Sequence, residues 1–279
     1  MQDAEFRQVA DILLRRTGRR LSPEKAYLAT SRLGPLARSK GLGDPAGLIN
    51  ALPSQPDAHV ADEIAAALVP KETWFFRGRP MLERLAASLP ARIAPGRQTL
   101  RIWCAGAGTG QEAFSLAILI GALPGNMAER VELVATDLSL HAVRRARAGE
   151  FDHFDVQKGL TATELVSHFR PLASGAWQAS PALSGRIQFR QHNLLDGADD
   201  LGTFDIILCR NVLSGMTRRA SLQALGTLEA ALAPGGQLIL GESETLAGLT
   251  GRMAPSQSLR GAWARVSEAG RAEGASVVA

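Results

Sequence analysis

Leu100-Arg101-Ile102-Trp103-Cys104-Ala105 reads as a buried strand that runs directly into Gly106-Ala107-Gly108-Thr109-Gly110 and then a helix predicted over about 112–123. This arrangement constrains the chain strongly. Residues without side chains let the backbone approach a ligand, and a helix N-terminus presents free N–H groups to it. The same grammar continues downstream. Val131–Asp137 is a second strand, ending in an acid, and a helix follows over about 139–149. Ile187-Gln188-Phe189, Phe204–Cys209 and residues 237–241 supply three more strands, with a helix at about 218–232 closed by Pro234-Gly235-Gly236. Strands alternating with helices predict an α/β fold: a doubly wound, Rossmann-like sheet with helices on both faces. Residues 150–186, with Phe154, Leu160, Leu165, Phe169 and Trp177, interrupt the alternation and read as an insertion.

The glycine spacing narrows the ligand. A dinucleotide fingerprint needs its third glycine one residue later, and a P-loop needs Gly-Lys-Ser/Thr; neither is present. G-x-G-x-G at this place matches S-adenosylmethionine methyltransferases. Asp137, at the carboxyl end of the second strand, is then placed to accept hydrogen bonds from both ribose hydroxyls. The chain's 279 residues, 46% hydrophobic and 21% charged, exclude collagen, a disulfide scaffold and a wholly disordered polymer. Its two cysteines, Cys104 and Cys209, sit inside apolar runs and read as buried thiols of a reducing compartment. No secretion signal follows Met1, and no apolar run approaches the roughly 18 residues of a membrane span. A cytoplasmic protein without membrane insertion is expected.

The opening segment reads as helices. Phe6, Val9, Ala10, Ile12 and Leu13 recur at helical spacing up to a break at Thr17-Gly18, and Ser22-Pro23 starts a second helix that Gly34-Pro35 should kink or end. A third, over about 60–68, stops at Pro70. Residues 1–40 hold nine Lys/Arg against four acids, a net +5, while the whole chain carries +4. Such asymmetry suits an acidic partner or a solvated helical face. Nucleic acid is not expected, because no aromatic residues interleave with the basic ones and Cys and His show no zinc-finger spacing.

Several motifs taken together resemble the chemotaxis receptor methyltransferase family, commonly called CheR. Glu72-Thr73-Trp74-Phe75-Phe76-Arg77 resembles its E-T-x-F-F-R, and Gly110-Gln111-Glu112-Ala113-Phe114-Ser115 stands where the family has G-E-E-P-Y-S. Residues 205–212, DIILCRNV, resemble its strand ending C-R-N-V, and Asn193-Leu194-Leu195, Leu232-Ala233-Pro234-Gly235-Gly236 and Gly241-Glu242-Ser243-Glu244 complete the set. The likeness spans about residues 5–265.

The resemblance implies a helical domain at 1–78 and a methyltransferase domain at 79–279, with a small inserted β-subdomain at about 168–192. It implies S-adenosylmethionine as cofactor, held by Thr73, Arg77, Gly106, Gly108, Glu112, Asp137, Asn193, Leu194, Arg210 and Asn211. Lys71 belongs to the same set, although it replaces the family's usual asparagine. Arg77, with a cationic fork suited to a carboxylate, is also the expected catalytic residue. Glu112 would accept from the cofactor's α-amino group, and Asn193 with Leu194 would hold the adenine edge. His192 is expected to pack or hydrogen-bond. No metal is implied.

The implied reaction methylates glutamate γ-carboxylates on the cytoplasmic helices of chemoreceptors, in chemotaxis adaptation, by an enzyme expected to be a monomer. The inserted stretch looks a few residues short, so recognition without a C-terminal receptor tether is expected. The alternatives are a methyltransferase for another protein or a small molecule, and a cofactor-sensing regulator with weak catalysis. They arise from one departure: the family continues L-I-Y-F after C-R-N-V, whereas Leu213-Ser214-Gly215-Met216 follows here and the only tyrosine is Tyr27. A positioning group is lost, which implies slower transfer or room for an altered substrate.

Overall fold

The computed structural model describes residues 2–53, 56–70, 72–93, 99–259 and 261–266. Helix α1 (Asp3–Thr17) ends at Gly18, which takes the left-handed conformation at φ 66°. Ser22 caps nothing with its side chain; Pro23–Lys25 form a 3₁₀ turn that feeds α2 (Ala26–Ser39). Gly34-Pro35 does not end that helix. The carbonyl that Pro35 leaves without a donor belongs to Ser31, and both residues face solvent while Leu33 and Ala37 on the opposite face are fully buried. Water can satisfy the freed group, and packing holds the helix together. Helix α3 (Pro45–Asn50) is capped by Asp44 and α4 (Ala58–Leu68) by Asp57. Val9, Ile12, Leu33, Leu48 and Ile64 pack these four helices around one core.

Helix α5 (Arg79–Arg92) leads into β1 (Leu100–Ala105), α6 (Gln111–Gly121), β2 (Val131–Asp137) and α7 (Leu140–Ala148). The insertion comprises β3 (Glu150–Phe151), α8 (His153–Gln157), α9 (Ala162–His168), β4 (Phe169–Pro171), β5 (Trp177–Ala179) and α10 (Pro181–Ser184). Then come β6 (Ile187–Gln191), β7 (Phe204–Cys209), α11 (Arg218–Ala230), β8 (Leu232–Leu240), β9 (Met253–Pro255) and β10 (Ala262–Arg265). Among the described residues these strands form a seven-stranded sheet in the order β6-β2-β1-β7-β8-β10-β9 and a three-stranded sheet in the order β3-β5-β4. The first five strands of the large sheet are parallel, and β10 and β9 add antiparallel at its edge.

Two stretches divide differently from expectation. Of residues 168–192, β4 and β5 belong to the small sheet, whose third strand β3 comes from before that range, whereas β6 pairs with β2 in the large sheet. Pro234-Gly235-Gly236 lies within β8 and does not close a helix. Between Phe204↔Leu232 and Ile206↔Gln237 the register slips, so these residues form a bulge against β7.

Alternate residues of β1 and β7 face opposite layers, as the two-residue period of a strand requires. Ile102, Cys104, Ile206 and Leu208 pack with Leu82, Leu85 and Phe114 on one face. Trp103, Ile207 and Cys209 pack with Leu225 and Leu228 on the other, joined by Phe204 from before the register slip. Both cysteines are free and buried, and the sheet stands between them. The strand order runs outward from β1 through β2 to β6, then returns to β7 on the other side. The crevice between the carboxyl ends of β1 and β7 is therefore the switch point where such sheets bind ligands.

Candidate active site

The glycine turn after β1 is tied to the end of β2. Gly106 and Ala107 donate their N–H groups to the Thr136 carbonyl at 2.8 and 2.9 Å, and Gly108 donates to Asp137 Oδ2 at 2.8 Å. Asp137 Oδ1 accepts from Ser139 N–H at 2.8 Å, so one carboxylate braces both the turn and the start of α7. Glycine is required twice here. Gly106 has φ 76°, and a Cβ on it would lie 2.6 Å from Val212 Cγ2; Gly108 has φ 58° and faces Thr73.

On the other side of the crevice β7 ends in Arg210 and Asn211. Arg210 Nη1 donates to Glu112 Oε2 at 2.7 Å and to the Arg77 carbonyl at 2.7 Å, with side-chain exposures of only 4% for Arg210 and 14% for Glu112. Asn211 takes φ 62°, a left-handed conformation that asparagine tolerates. The carboxylate of Glu244 fixes this turn: it accepts from Asn211 N–H at 2.6 Å, Gly241 N–H at 2.9 Å and Ser214 N–H at 2.9 Å. The turn of residues 72–77 is anchored likewise, since Phe76, itself at φ 53°, donates its N–H to Ser115 Oγ at 2.8 Å.

The helical domain completes the wall. Gly18 accepts from Thr217 N–H at 2.7 Å, and Asn193 Nδ2 donates to the Arg16 carbonyl at 2.9 Å. Arg16 pairs at 2.6 Å with both Asp62 of α4 and Asp196, and the Asp62 hydrogen bond leads the causes that raise its pKa. Arg19 Nη2 donates to the Val212 carbonyl at 3.0 Å, and burial pulls its pKa down from the usual arginine value, against a smaller opposing effect of Glu244.

These elements line a partly open cavity. Of the residues expected from sequence, Thr73, Gly106, Gly108, Asp137, Asn193, Leu194, Arg210 and Asn211 line it. Glu112 stands behind this lining as the partner of Arg210. The Arg77 side chain does not line the cavity; its Nη1 donates to the Glu72 carbonyl at 3.0 Å and its guanidinium lies 4.3 Å from the Trp74 ring centroid. Lys71 lies outside the described residues. His192 lines the cavity, bonds through Nε2 to the Gly197 carbonyl and packs edge-on to Trp103 at 5.6 Å. No sequence motif marks Arg16 or Arg19, and the motifs that contain Ser115 and Glu244 do not indicate their roles.

A nucleoside cofactor with an amino-acid tail fits these groups. The glycine cradle would be filled by any Cβ at position 106, Asp137 stands at the strand end, and two buried polar atoms near the cavity, Arg210 Nε and His192 Nδ1, have no partner. The family profile described as "CheR methyltransferase, SAM binding domain" matches residues 71–261. The chain belongs to the CheR methyltransferase family. Its all-alpha domain profile matches residues 4–67, the helical unit that supplies Arg16 and Arg19. Among curated relatives, Chemotaxis protein methyltransferase Cher2 of Pseudomonas putida is 34% identical over 252 residues, covering 88% of this chain and 91% of that protein. Chemotaxis protein methyltransferase 1 of Pseudomonas aeruginosa is 35% identical over 250 residues, with the same coverage, and the Vibrio parahaemolyticus enzyme is 31% identical over 258 residues, covering 90% and 92%. This CheR chain is thus a methyltransferase that uses S-adenosylmethionine. None of its described helices is long and apolar enough to cross a membrane.

Proposed function

We propose that this enzyme methylates glutamate γ-carboxylates on the cytoplasmic helices of chemoreceptors, acting in the cytoplasm as a monomer and producing glutamyl methyl esters in chemotaxis adaptation. The observation that carries the reading is the set of three arginines, Arg16, Arg19 and Arg210, that line the cavity beside the acids Glu72 and Asp137, while no lysine, cysteine or tyrosine does among the described residues. An acceptor that is already an anion suits such walls, because glutamate with a reference pKa of about 4.3 needs no base at neutral pH. S-adenosylmethionine, when bound, supplies a sulfonium-activated methyl group to which a carboxylate oxygen bonds as the carbon–sulfur bond breaks and its electron pair stays on sulfur.

What remains for the protein is binding, alignment and exclusion of water. Asp137 accepts from the ribose hydroxyls, Asn193 and Leu194 hold the adenine edge, and Thr73, Gly106 and Gly108 shape the cradle. Arg210 offers its unpartnered Nε to the amino-acid end of the cofactor, with Glu112 accepting from the α-amino group and Asn211 closing that end. Arg77 supports Arg210 through its carbonyl. The helical unit 1–78, basic in its first forty residues, faces the acidic receptor helix, and the transferase unit 79–279 carries out the transfer without a receptor tether. The test is transfer of labelled methyl to chemoreceptor cytoplasmic fragments. Base-labile label on glutamate is expected. A base-stable product, or label only in another acceptor, overturns the proposal.

A further inference from the structure

From the packing of Arg19 against Gly215, we infer that the Arg19 guanidinium binds the carboxylate of the methyl acceptor and positions its oxygen for transfer. This rests on the proposed glutamate acceptor and adds the group that would hold it. Arg19 directly follows the left-handed Gly18 that ends α1. That turn is docked tightly: a Cβ at residue 18 would sit 2.0 Å from Ala220 Cβ, and Thr217 N–H bonds the Gly18 carbonyl at 2.7 Å. The guanidinium then lies flat on Gly215, where a Cβ would fall 1.7 Å from Nη1 and 2.2 Å from Cζ. A side chain at 215 and the guanidinium at 19 exclude each other.

The charge of Arg19 meets the field of Glu244 but no paired carboxylate among the described residues. Arg16 is paired with Asp62 and Asp196, and Arg210 with Glu112, but Arg19 makes no ion pair among the described residues. Its hydrogen bond to the Val212 carbonyl uses one of five N–H donors. The neighbouring carboxylate, Glu244, is already taken by three backbone N–H groups. A half-buried planar fork with free donors, lining the cavity beside Val212 and Asn211, matches a carboxylate bidentately. Two carboxylates could reach it: that of the acceptor glutamate and that of the cofactor's own amino-acid tail. Arg210, which lines the cavity beside Thr73 and the glycine turn, serves the second in the proposed reading, which leaves Arg19 for the first.

The experiment uses the full chain and two receptor cytoplasmic fragments, one with glutamate and one with glutamine at the methylation sites, titrated in saturating S-adenosylhomocysteine. The wild type binds the glutamate fragment more tightly than the glutamine one. Arg19→Met abolishes that preference, keeps S-adenosylhomocysteine affinity within threefold, and lowers kcat/KM for methyl transfer by about 10- to 100-fold, the span expected for losing a charge-assisted pair. Arg19→Lys recovers part of the preference, having the charge without the fork. Gly215→Ala, with Arg19 intact, pushes the guanidinium off its present position and reduces the glutamate preference, by less than Arg19→Met does because the charge remains. The inference alone is overturned if the wild type methylates receptor fragments while Arg19→Met retains the glutamate preference, or if that variant loses cofactor affinity tenfold. Wild type that methylates no receptor fragment overturns the reading beneath it as well.

Discussion

The Arg210–Glu112 pair makes the sharpest stability prediction. Both groups are nearly out of water, and the guanidinium's partners among the described residues are the two short bonds from Nη1, each 2.7 Å. Replacing Glu112 by methionine keeps the side chain's length but leaves a buried cation facing one carbonyl. Breaking a buried pair in this way costs about 3–5 kcal/mol. With 279 residues at about 2.1 cal/mol/K each, the unfolding entropy is about 0.6 kcal/mol/K, so the melting temperature should fall by about 5–9 °C. Arg210→Met should cost a similar amount, since it strands the Glu112 carboxylate and the Arg77 carbonyl. The double variant removes both charges together and should cost about 2–3 kcal/mol less than the sum of the singles. The assay is thermal and urea unfolding of all four proteins without cofactor. Single variants within about 1 kcal/mol of wild type, adding independently in the double, would refute the claim that the pair is desolvated.

Three further outcomes follow from other parts of the structure. Asp137→Ala removes the brace of Gly108 and Ser139 together with the expected ribose contact, and should weaken S-adenosylhomocysteine binding by at least tenfold in calorimetry; unchanged affinity would dismiss the pocket assignment. Burial pushes both cysteine thiols well above their ordinary pKa, with Glu112 adding to the effect at Cys104 and Glu244 at Cys209, so neither should react with a thiol reagent at pH 8 until the chain unfolds. The Arg101 hydrogen bond holds the Glu132 carboxyl below the usual carboxylate range, against the opposing effect of burial. A depressed folded-state pKa contributes stability above the unfolded value of about 4.3 that is lost as pH falls through the folded one, so Glu132→Gln should flatten the acid limb of a urea-stability profile below about pH 5 and lower the plateau above it.

The parallel strands were legible because a strand buried on both faces has to be apolar along its length: β1, β2 and β7 begin and end where their runs do. Helices α3 and α5 carry no such signal, since Pro45 and Pro80 open them and Pro90 sits within the second. At two or three residues each, β3, β4 and β5 are too short to alternate. The site divided in the same manner. Glycines, a strand-end acid and strand-end polar residues are placed by the elements that carry them, so eight of the expected residues meet in one cavity. The Arg77 side chain is instead placed by neighbours in its own turn, Glu72 and Trp74, and a motif letter does not say which way it points. Arg19 was unreadable for a further reason: its place depends on the missing side chain of Gly215, 196 residues away, and in sequence it is one arginine among nine basic residues.

The +5 of the first forty residues therefore does not act as a uniform field. Arg15 pairs with Asp11, Arg16 with Asp62 and Asp196, and Lys40 with Glu63, each at 2.6–2.8 Å, so three of the nine basic residues are paired where they stand, two of them with acids beyond the first forty residues. Asp62 belongs to the helical unit and Asp196 to the 3₁₀ turn (Leu194–Asp196) that follows β6, and Arg16 bridges them in the cavity wall. The bridge has a consequence for its neighbour three residues on. By holding the end of α1 against Asn193, it fixes the level at which Gly18 turns and Arg19 enters over Gly215. The missing tyrosine thereby takes on a different meaning. A phenol at 215 would offer one O–H from within the transferase unit, whereas the guanidinium packed against Gly215 brings a permanent charge and several N–H donors from the helical unit. On the inference drawn above, an acceptor carboxylate would engage only with the two units docked, and the helical unit would form part of the reaction chamber as well as a landing surface for the receptor.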